Sequence, residues 1–265
     1  MRSAYDPHGY VERVEGGALL RLLHQTVDAI AAVLHDLNDW GPAGTKPGQY
    51  RSDLAADEAA LKTLLPAGVG VLSEESGLTD ADRPVLVVVD PVDGSTNASR
   101  GIPWYASSLC ALDDDGPVAA VVANLATGTR YEAARGQGAT WDGQPLHPTH
   151  CTSLSKAVIG LSGYPERHLG WRQFRALGAA ALDLCSVASG TLDGYLDANE
   201  NAHGPWDYLG GMFVCQEAGA LVADLHGRDL VVRGHADRRT PVAAGTPELL
   251  EELSVAGREL GVTNA

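Results

Sequence analysis

Hydrophobic side chains recur along this chain in two rhythms. Between Ala18 and Leu37 they fall at Leu19, Leu22, Leu23, Val27, Ile30, Val33 and Leu34, a spacing of three and four that predicts an amphipathic helix. The stretch from Gly41 to Gly48 reads as a loop by its glycines and prolines. A second helix is predicted over Leu54–Leu65, with Asp53 placed to cap it and Pro66 and Gly68 to end it.

From Val69 the rhythm changes to short apolar runs. Val69–Leu72 predicts a short strand, and Val85–Val89 a buried strand ending at Asp90. Tyr105–Leu112 and Val118–Leu125 predict strands joined by the turn Asp113–Gly116. Arg130–Ala134 and Ala139–Trp141 predict a hairpin across Arg135–Gly138. Hairpins imply an antiparallel or mixed sheet. The later chain alternates instead: strand at Val158–Leu161, helix at Gly178–Ser189, strand at Leu192–Leu196, helix at Tyr208–Ala218, strands at Leu221–Leu225 and Val242–Ala244, helix at Pro247–Leu260. That alternation predicts layered α/β packing. The change of style near residue 147 predicts two subdomains, about 18–146 and 147–262, preceded by an N-terminal arm over 1–17.

Composition narrows the function. With 265 residues and 45% hydrophobic residues the chain can bury a substantial core. A formal net charge of −15 argues against nucleic acid or an anionic membrane as a partner. It leaves room for a small anionic substrate where a divalent metal reverses the local sign. Cys110, Cys151, Cys185 and Cys215 show no CxxC spacing and read as free thiols of a reducing compartment. With neither a signal peptide nor 18 consecutive apolar residues in view, a cytoplasmic location with no membrane span is the expectation.

The candidate chemistry is acidic. Asp90-Pro91-Val92-Asp93-Gly94-Ser95-Thr96-Asn97 lies where a buried strand ends, the place where ligands bind in open α/β sheets. Glu74 follows another short apolar run, and Asp207 follows Pro205-Trp206 at a helix start. Clustered carboxylates repel one another and raise each other's pKa, whereas hard dications such as Mg²⁺ favour such oxygen donors. Gly94-Ser95-Thr96 offers successive N–H groups suited to a phosphate. Each feature alone has a simpler reading: Asp-Pro and Asp-Gly make surface turns, Glu74-Glu75 suits a solvated loop, and Asp207 suits a helix cap. The joint occurrence favours metal-assisted phosphate chemistry. His147, His150 and Cys151 lack further ligands at zinc spacing, and Gly136 and Gly138 do not open a helix, so neither group predicts a metal or nucleotide site.

These motifs resemble the inositol monophosphatase family of Mg²⁺-dependent, lithium-sensitive phosphatases. Asp90–Asn97 is similar to its D-P-(I/V/L)-D-G-T-x-N signature, and Trp206–Gly219 to its W-D-x-A…E-A-G signature. Ser73-Glu74-Glu75-Ser76, Tyr131–Ala139, Asp142–Leu146 and Gly178–Cys185 resemble further family segments, and the likeness spans roughly residues 18–260. The resemblance implies an α-β-α-β-α sandwich of the inositol monophosphatase and fructose-1,6-bisphosphatase type, two or three Mg²⁺ per site and a homodimer. It implies metal ligation by Glu74, Asp90, the Val92 carbonyl, Asp93 and Asp207. Ser95 and Glu74 would orient the attacking water, with Asp53 bonded to Ser95. Asp93, Gly94, Ser95, Thr96, Ala180, Asp197 and Asp207 would meet the substrate. The implied reaction is hydrolysis of a small polyol phosphate, inositol 1-phosphate first among candidates. Histidinol phosphate, fructose 1,6-bisphosphate and adenosine bisphosphate are alternatives within the family, and a non-catalytic regulatory role is a further alternative, since members of this superfamily can act by binding other proteins.

The chain departs from the pattern at five places. Ser95 stands for the usual Thr, Ser73 for Gly, and Ala179 for Ser or Thr, and the T-x-x-D pattern around Asp53 is lost. The segment from Leu196 to Pro205 is also longer than usual. It offers Asp197 as the direct match for an acidic residue that binds substrate hydroxyls, with Glu200 as a competitor.

Overall fold

The structure, a computed structural model, describes residues 7–259. Its elements alternate in five layers. Helices α1 (Pro7–His35) and α2 (Arg51–Leu64) cover one face of an eight-stranded sheet. That sheet holds β1 (Gly70–Ser73), β2 (Gly77–Thr79), β3 (Leu86–Asp93), β4 (Ala106–Asp113), β5 (Gly116–Asn124), β6 (Arg130–Ala134), β7 (Ala139–Trp141) and β8 (Gln144–Pro145), in the order β2-β1-β3-β4-β5-β6-β7-β8. The single-turn helix α3 (Ser95–Ser99) follows β3. A five-stranded sheet contains β9 (Val158–Ser162), β10 (Gln173–Arg175), β11 (Gly194–Asp197), β12 (Leu221–Asp224) and β13 (Pro241–Ala244), in the order β10-β9-β11-β13-β12. Between the sheets lie α4 (Ala180–Ala188) and α5 (Pro205–Ala218), and α6 (Pro247–Arg258) covers the outer face. The expected α-β-α-β-α sandwich is the observed fold.

Period-two alternation along the strands builds these layers. In β3, Val87 and Val89 pack under α1 and α2, while Leu86 and Val88 join the core around α4 and α5. In β11, Tyr195 faces α4 and α5, and Leu196 faces α6. All eight residues of β3 are buried, because the strand lies between β1 and β4 with helices on both faces. In α5, a Cβ at Gly210 would stand 2.7 Å from Ser108 Oγ, and one at Gly211 would stand 2.7 Å from Leu184 Cβ. Two adjacent glycines thus let α5 sit against both β4 and α4.

Several boundaries differ from the periodicity. Helix α1 begins at Pro7 rather than Ala18, so most of the segment expected as an arm continues the helix; residues 1–6 and 260–265 lie outside the described part. The stretch Gly16–His35 is long and apolar enough to cross a bilayer by length and composition. In the fold its Leu23, Val27, Ile30 and Leu34 are core residues. Strand β3 does not stop at Asp90 but runs to Asp93 through an irregularity. Helix α2 begins at Arg51 and α5 at Pro205, so Asp53 and Asp207 lie inside their helices rather than ahead of them.

Candidate active site

The centre of the site is the irregular end of β3. Asp90 pairs with Ser108 and Asp93 with Ala106, so three steps on β3 oppose two on β4. This is a β-bulge, and Pro91 within it is tolerated because a bulge releases ladder bonds. In a regular strand residues three apart point to opposite faces. The extra residue turns both carboxylates to one side, where oxygens of Asp90, Asp93 and Asp207 come within 4.8 Å of one another. Val92 between them is 3% exposed and packs with the α1–α2 core, and its N–H donates to Asp90 Oδ1 at 3.0 Å.

Two serines on β4 hold this corner. Ser107 Oγ donates to the Pro91 carbonyl at 2.7 Å, and Ser108 Oγ donates to the Trp206 carbonyl at 3.1 Å. The second bond ties the first turn of α5, and so Asp207, to the strand opposite Asp90. Hydrophobic periodicity gave no hint of them beyond two buried hydroxyls in an apolar strand.

Three helix N-termini converge on the acids. The Asp53 carboxylate reaches back to the Tyr50 N–H (2.8 Å) at the start of α2, and Asp207 to the Gly204 N–H (2.6 Å) at the start of α5. Ala179, ahead of α4, has no capping side chain. Instead Asp93 accepts from the Ala181 N–H at 2.8 Å, with the Ala180 N–H beside it. Ala180 therefore faces a carboxylate of the cluster through its backbone. The positive ends of the helix dipoles offset part of the repulsion between the acids.

The remaining repulsion shows in proton affinities. Burial pushes Glu74 up to about 8, helped by the charges of Asp207, Glu75 and Asp93, and Glu74 is hydrogen-bonded to Asp90. Burial and the charges of Glu74 and Asp93 raise Asp90 well above the usual carboxylate range. Burial and Asp207 raise Asp93 to about 7. Asp53 rises to about 6, chiefly through burial, and bonds to Ser52 and Ser95. A buried set of carboxylate oxygens that hold protons this tightly fits a hard dication, which replaces protons with ligand bonds. Among the described residues no group of histidines or cysteines converges in this way, and His147, His150 and Cys151 do not.

Around the acids, Lys46, Gln49, Asp53, Glu74, Glu75 and Ser95 line a cleft of about 290 Å³. The Gln49 amide donates to the Glu75 carboxylate, and Lys46 Nζ donates to the Glu75 carbonyl at 3.2 Å. Glu75 is thus bound to the loop above while Glu74 turns to the cluster. The exposed Thr96 shares a 3.2 Å hydrogen bond with the Tyr50 hydroxyl. Asn97 Nδ2 donates to the Trp104 and Leu177 carbonyls at 2.8 and 2.7 Å, tying the loop after β3 to the approach of α4. Asp197 is 1% exposed, and Glu200 is exposed, with His226 Nε2 3.9 Å from its carboxylate. His203, which the sequence left unassigned, lies between Asp197 and Asp207 at 3.4 and 3.6 Å. Its burial alone lowers its pKa, but Asp207, Asp197 and Asp93 outweigh that and hold it up at about 9.

The profile of the inositol monophosphatase family matches residues 52–259, which include every acid of this cluster. The chain belongs to the inositol monophosphatase family. Members of this family are magnesium-dependent phosphatases, and the three-aspartate group is a place where such a metal fits. The chain is 37% identical over 203 residues to a fructose-1,6-bisphosphatase/inositol-1-monophosphatase of Thermococcus kodakarensis, covering 75% of this chain and 78% of that one. It is 28% identical over 258 residues to the Nus factor SuhB of Escherichia coli, covering 90% of each. Among solved structures, a hypothetical protein of Pyrococcus horikoshii with similarities to inositol-1 monophosphatase superposes with a TM-score of 0.78 at 26% identity, over 92% of this chain and 98% of that one.

Proposed function

We propose that this chain is a phosphomonoesterase that hydrolyses a small polyol phosphate, with myo-inositol 1-phosphate its first candidate substrate. The observation that carries the reading is the convergence of Asp90, Asp93 and Asp207 beside Glu74 at a β-bulge. Asp90, Asp93, Asp207, Glu74 and the Val92 carbonyl would hold two or three Mg²⁺. Bound there, the metal would neutralise phosphoryl charge and lower the pKa of a water nucleophile. Glu74 and Ser95 would orient that water, and Asp53 would fix the Ser95 hydroxyl. The backbone N–H groups of Gly94, Ser95 and Thr96 would grip the phosphoryl oxygens. Fructose 1,6-bisphosphate is favoured as the alternative substrate by the likeness to the Thermococcus enzyme; histidinol phosphate and adenosine bisphosphate follow.

Purified protein with Mg²⁺ is expected to release phosphate from at least one of these substrates, and a kcat/KM comparison ranks them. Asp90→Asn is expected to lower kcat by at least ~100-fold while the protein stays folded, since it removes an acid from the centre of the cluster. Millimolar lithium is expected to inhibit. The likeness to SuhB over 90% of each chain supports a second reading, in which the chain binds another macromolecule. Turnover from no phosphate ester, wild type and Asp90→Asn alike, would favour it. A cytoplasmic homodimer accompanies the enzyme reading. Sedimentation would report the dimer.

A further inference from the structure

We infer that His235 is a positioning residue for the metal site: from the tip of a closed turn it holds the Glu74 backbone against the start of α5, and so sets how tightly the site binds Mg²⁺. The inference rests on the metal ligation in the phosphatase reading above and deepens it.

The acids of the site ride on separate parts of the fold. Asp90 and Asp93 lie on β3 and Glu74 on the turn after β1, whereas Asp207 lies on α5 between the sheets. The segment 225–240, which joins β12 to β13 in the second sheet, crosses to the β1–β2 turn of the first. Its tip is Gly234-His235-Ala236-Asp237. Gly234 N donates to Asp237 Oδ2 at 3.0 Å, and Asp237 N donates to the Gly234 carbonyl at 3.1 Å. Arg238 Nη1 donates to the His235 and Asp237 carbonyls at 2.9 and 2.8 Å. The Arg238 guanidinium also lies 5.1 Å from the centre of the Trp206 ring. The turn is therefore closed by its own bonds and seated on Trp206.

His235 makes two contacts from this tip. Its Nε2 lies 3.0 Å from the Glu74 carbonyl, and because a carbonyl only accepts, Nε2 carries the proton of that bond. Its ring packs on the Trp206 indole, with centroids 4.8 Å apart and planes 35° apart. On its other side, Glu74 N donates to the Val89 carbonyl at 3.1 Å, next to Asp90. The Glu74 backbone is thus bracketed between β3 and His235. Trp206 directly precedes Asp207, and its carbonyl accepts from Ser108. One exposed side chain therefore links the backbone that carries Glu74 to the backbone that carries Asp207. Like charges push Glu74 away from the three aspartates. A backbone fixed on both sides keeps its carboxylate among them, and a preformed donor set binds a cation at a lower ordering cost.

Calorimetric titration of the full-length, metal-free protein with MgCl₂ tests this, with the half-saturating Mg²⁺ for phosphate release as a second readout. His235→Ala is expected to raise the Kd for Mg²⁺ about two- to tenfold, the loss of one hydrogen bond. His235→Phe keeps a ring on Trp206 but has no donor, and is expected to match the alanine variant. His235→Gln can place an amide N–H at the Glu74 carbonyl, and is expected to recover most of the wild-type affinity. The half-saturating Mg²⁺ should rise by the same factor as Kd, while the substrate KM at saturating Mg²⁺ moves little. Wild-type affinity in either His235→Ala or His235→Phe would overturn the inference, as would a glutamine variant as weak as the alanine one. A lower metal-free thermal midpoint with an unchanged Kd would also overturn it, since His235 would then serve folding alone. Wild-type protein that binds Mg²⁺ but hydrolyses no phosphate ester would overturn the phosphatase reading, while calorimetry still tests the His235 bond. A wild type that binds no Mg²⁺ would overturn both.

Discussion

Gly94 is held by two independent constraints. Its φ of +84° is left-handed, and a Cβ there would stand 2.9 Å from the Gly178 carbonyl and 3.1 Å from the Trp104 carbonyl. Gly94→Ala is expected to cost about 1–3 kcal/mol and to lower kcat, because Ser95 and Thr96 follow directly; urea unfolding and turnover measure the two effects. Ser73 shows the opposite case, a departure from the family pattern that the structure explains. Its Oγ donates to the buried Asp57 at 2.5 Å and accepts from the Glu75 N–H at 3.2 Å. Ser76 Oγ supplies the second bond to Asp57 at 3.1 Å. Ser73→Gly would leave Asp57 with Ser76 alone among these hydroxyls. A stability loss of about 1–3 kcal/mol is expected, with a higher Mg²⁺ requirement because Glu74 adjoins this turn. Nothing local to Ser73 announces Asp57, which lies on a different element.

Helix ends carry much of the construction around the site. Asp53 and Asp207 were expected as caps ahead of their helices; each instead sits within the first turn and bonds back to the N–H that precedes it. Propensity finds a helix start to within a few residues and leaves the role of a nearby acid open. For α4 the cap comes from β3, through Asp93, which explains how Ala179 can replace Ser or Thr. A similar long-range clasp closes the other end of α5. Both oxygens of Glu217 accept bonds at 3.0 Å, from the Gly136 and Gly138 N–H groups of the β6–β7 turn. Glu217→Ala is expected to lower stability by about 1 kcal/mol and to leave KM unchanged, since the clasp lies at the end of α5 away from Asp207. Chemical denaturation and substrate saturation curves check this pair of outcomes.

Five layers bring acids from α2, β3, α5 and the turn after β1 to one point, at an electrostatic cost that the whole molecule bears. Glu74 and Asp93 have folded-state pKa values of about 8 and about 7, above unfolded values near 4. The folded chain keeps protons that the unfolded chain has released. The stability linked to these groups is therefore fully present below about pH 4 and is lost as pH rises through 7 to 8. The thermal midpoint of metal-free protein is expected to fall between pH 5 and 8.5. Excess Mg²⁺ is expected to raise it most at the alkaline end, because a ligand of the folded state alone stabilises by mass action. Scanning calorimetry with chelator and with MgCl₂ tests both; a metal-free midpoint that rises over that range would remove the electrostatic account.

Period-two and period-three-to-four patterns are consequences of backbone geometry within one segment, so the longer strands and helices and the buried character of β3 were legible without coordinates, whereas the short β2, β8, β10 and α3 were not. The Asp90–Asn97 segment, Glu74 and Asp207 were legible as candidates for the same reason: each is an acid beside an apolar run. Which way those acids face was not. It depends on a bulge that exists only when β3 pairs with β4, and on α4 arriving with unsatisfied N–H groups for Asp93, 88 residues away. The position of His203 between Asp197 and Asp207 has the same origin. It follows from backbone bonds to Arg239 on a distant loop, and contacts across layers leave no periodic trace in the chain that makes them.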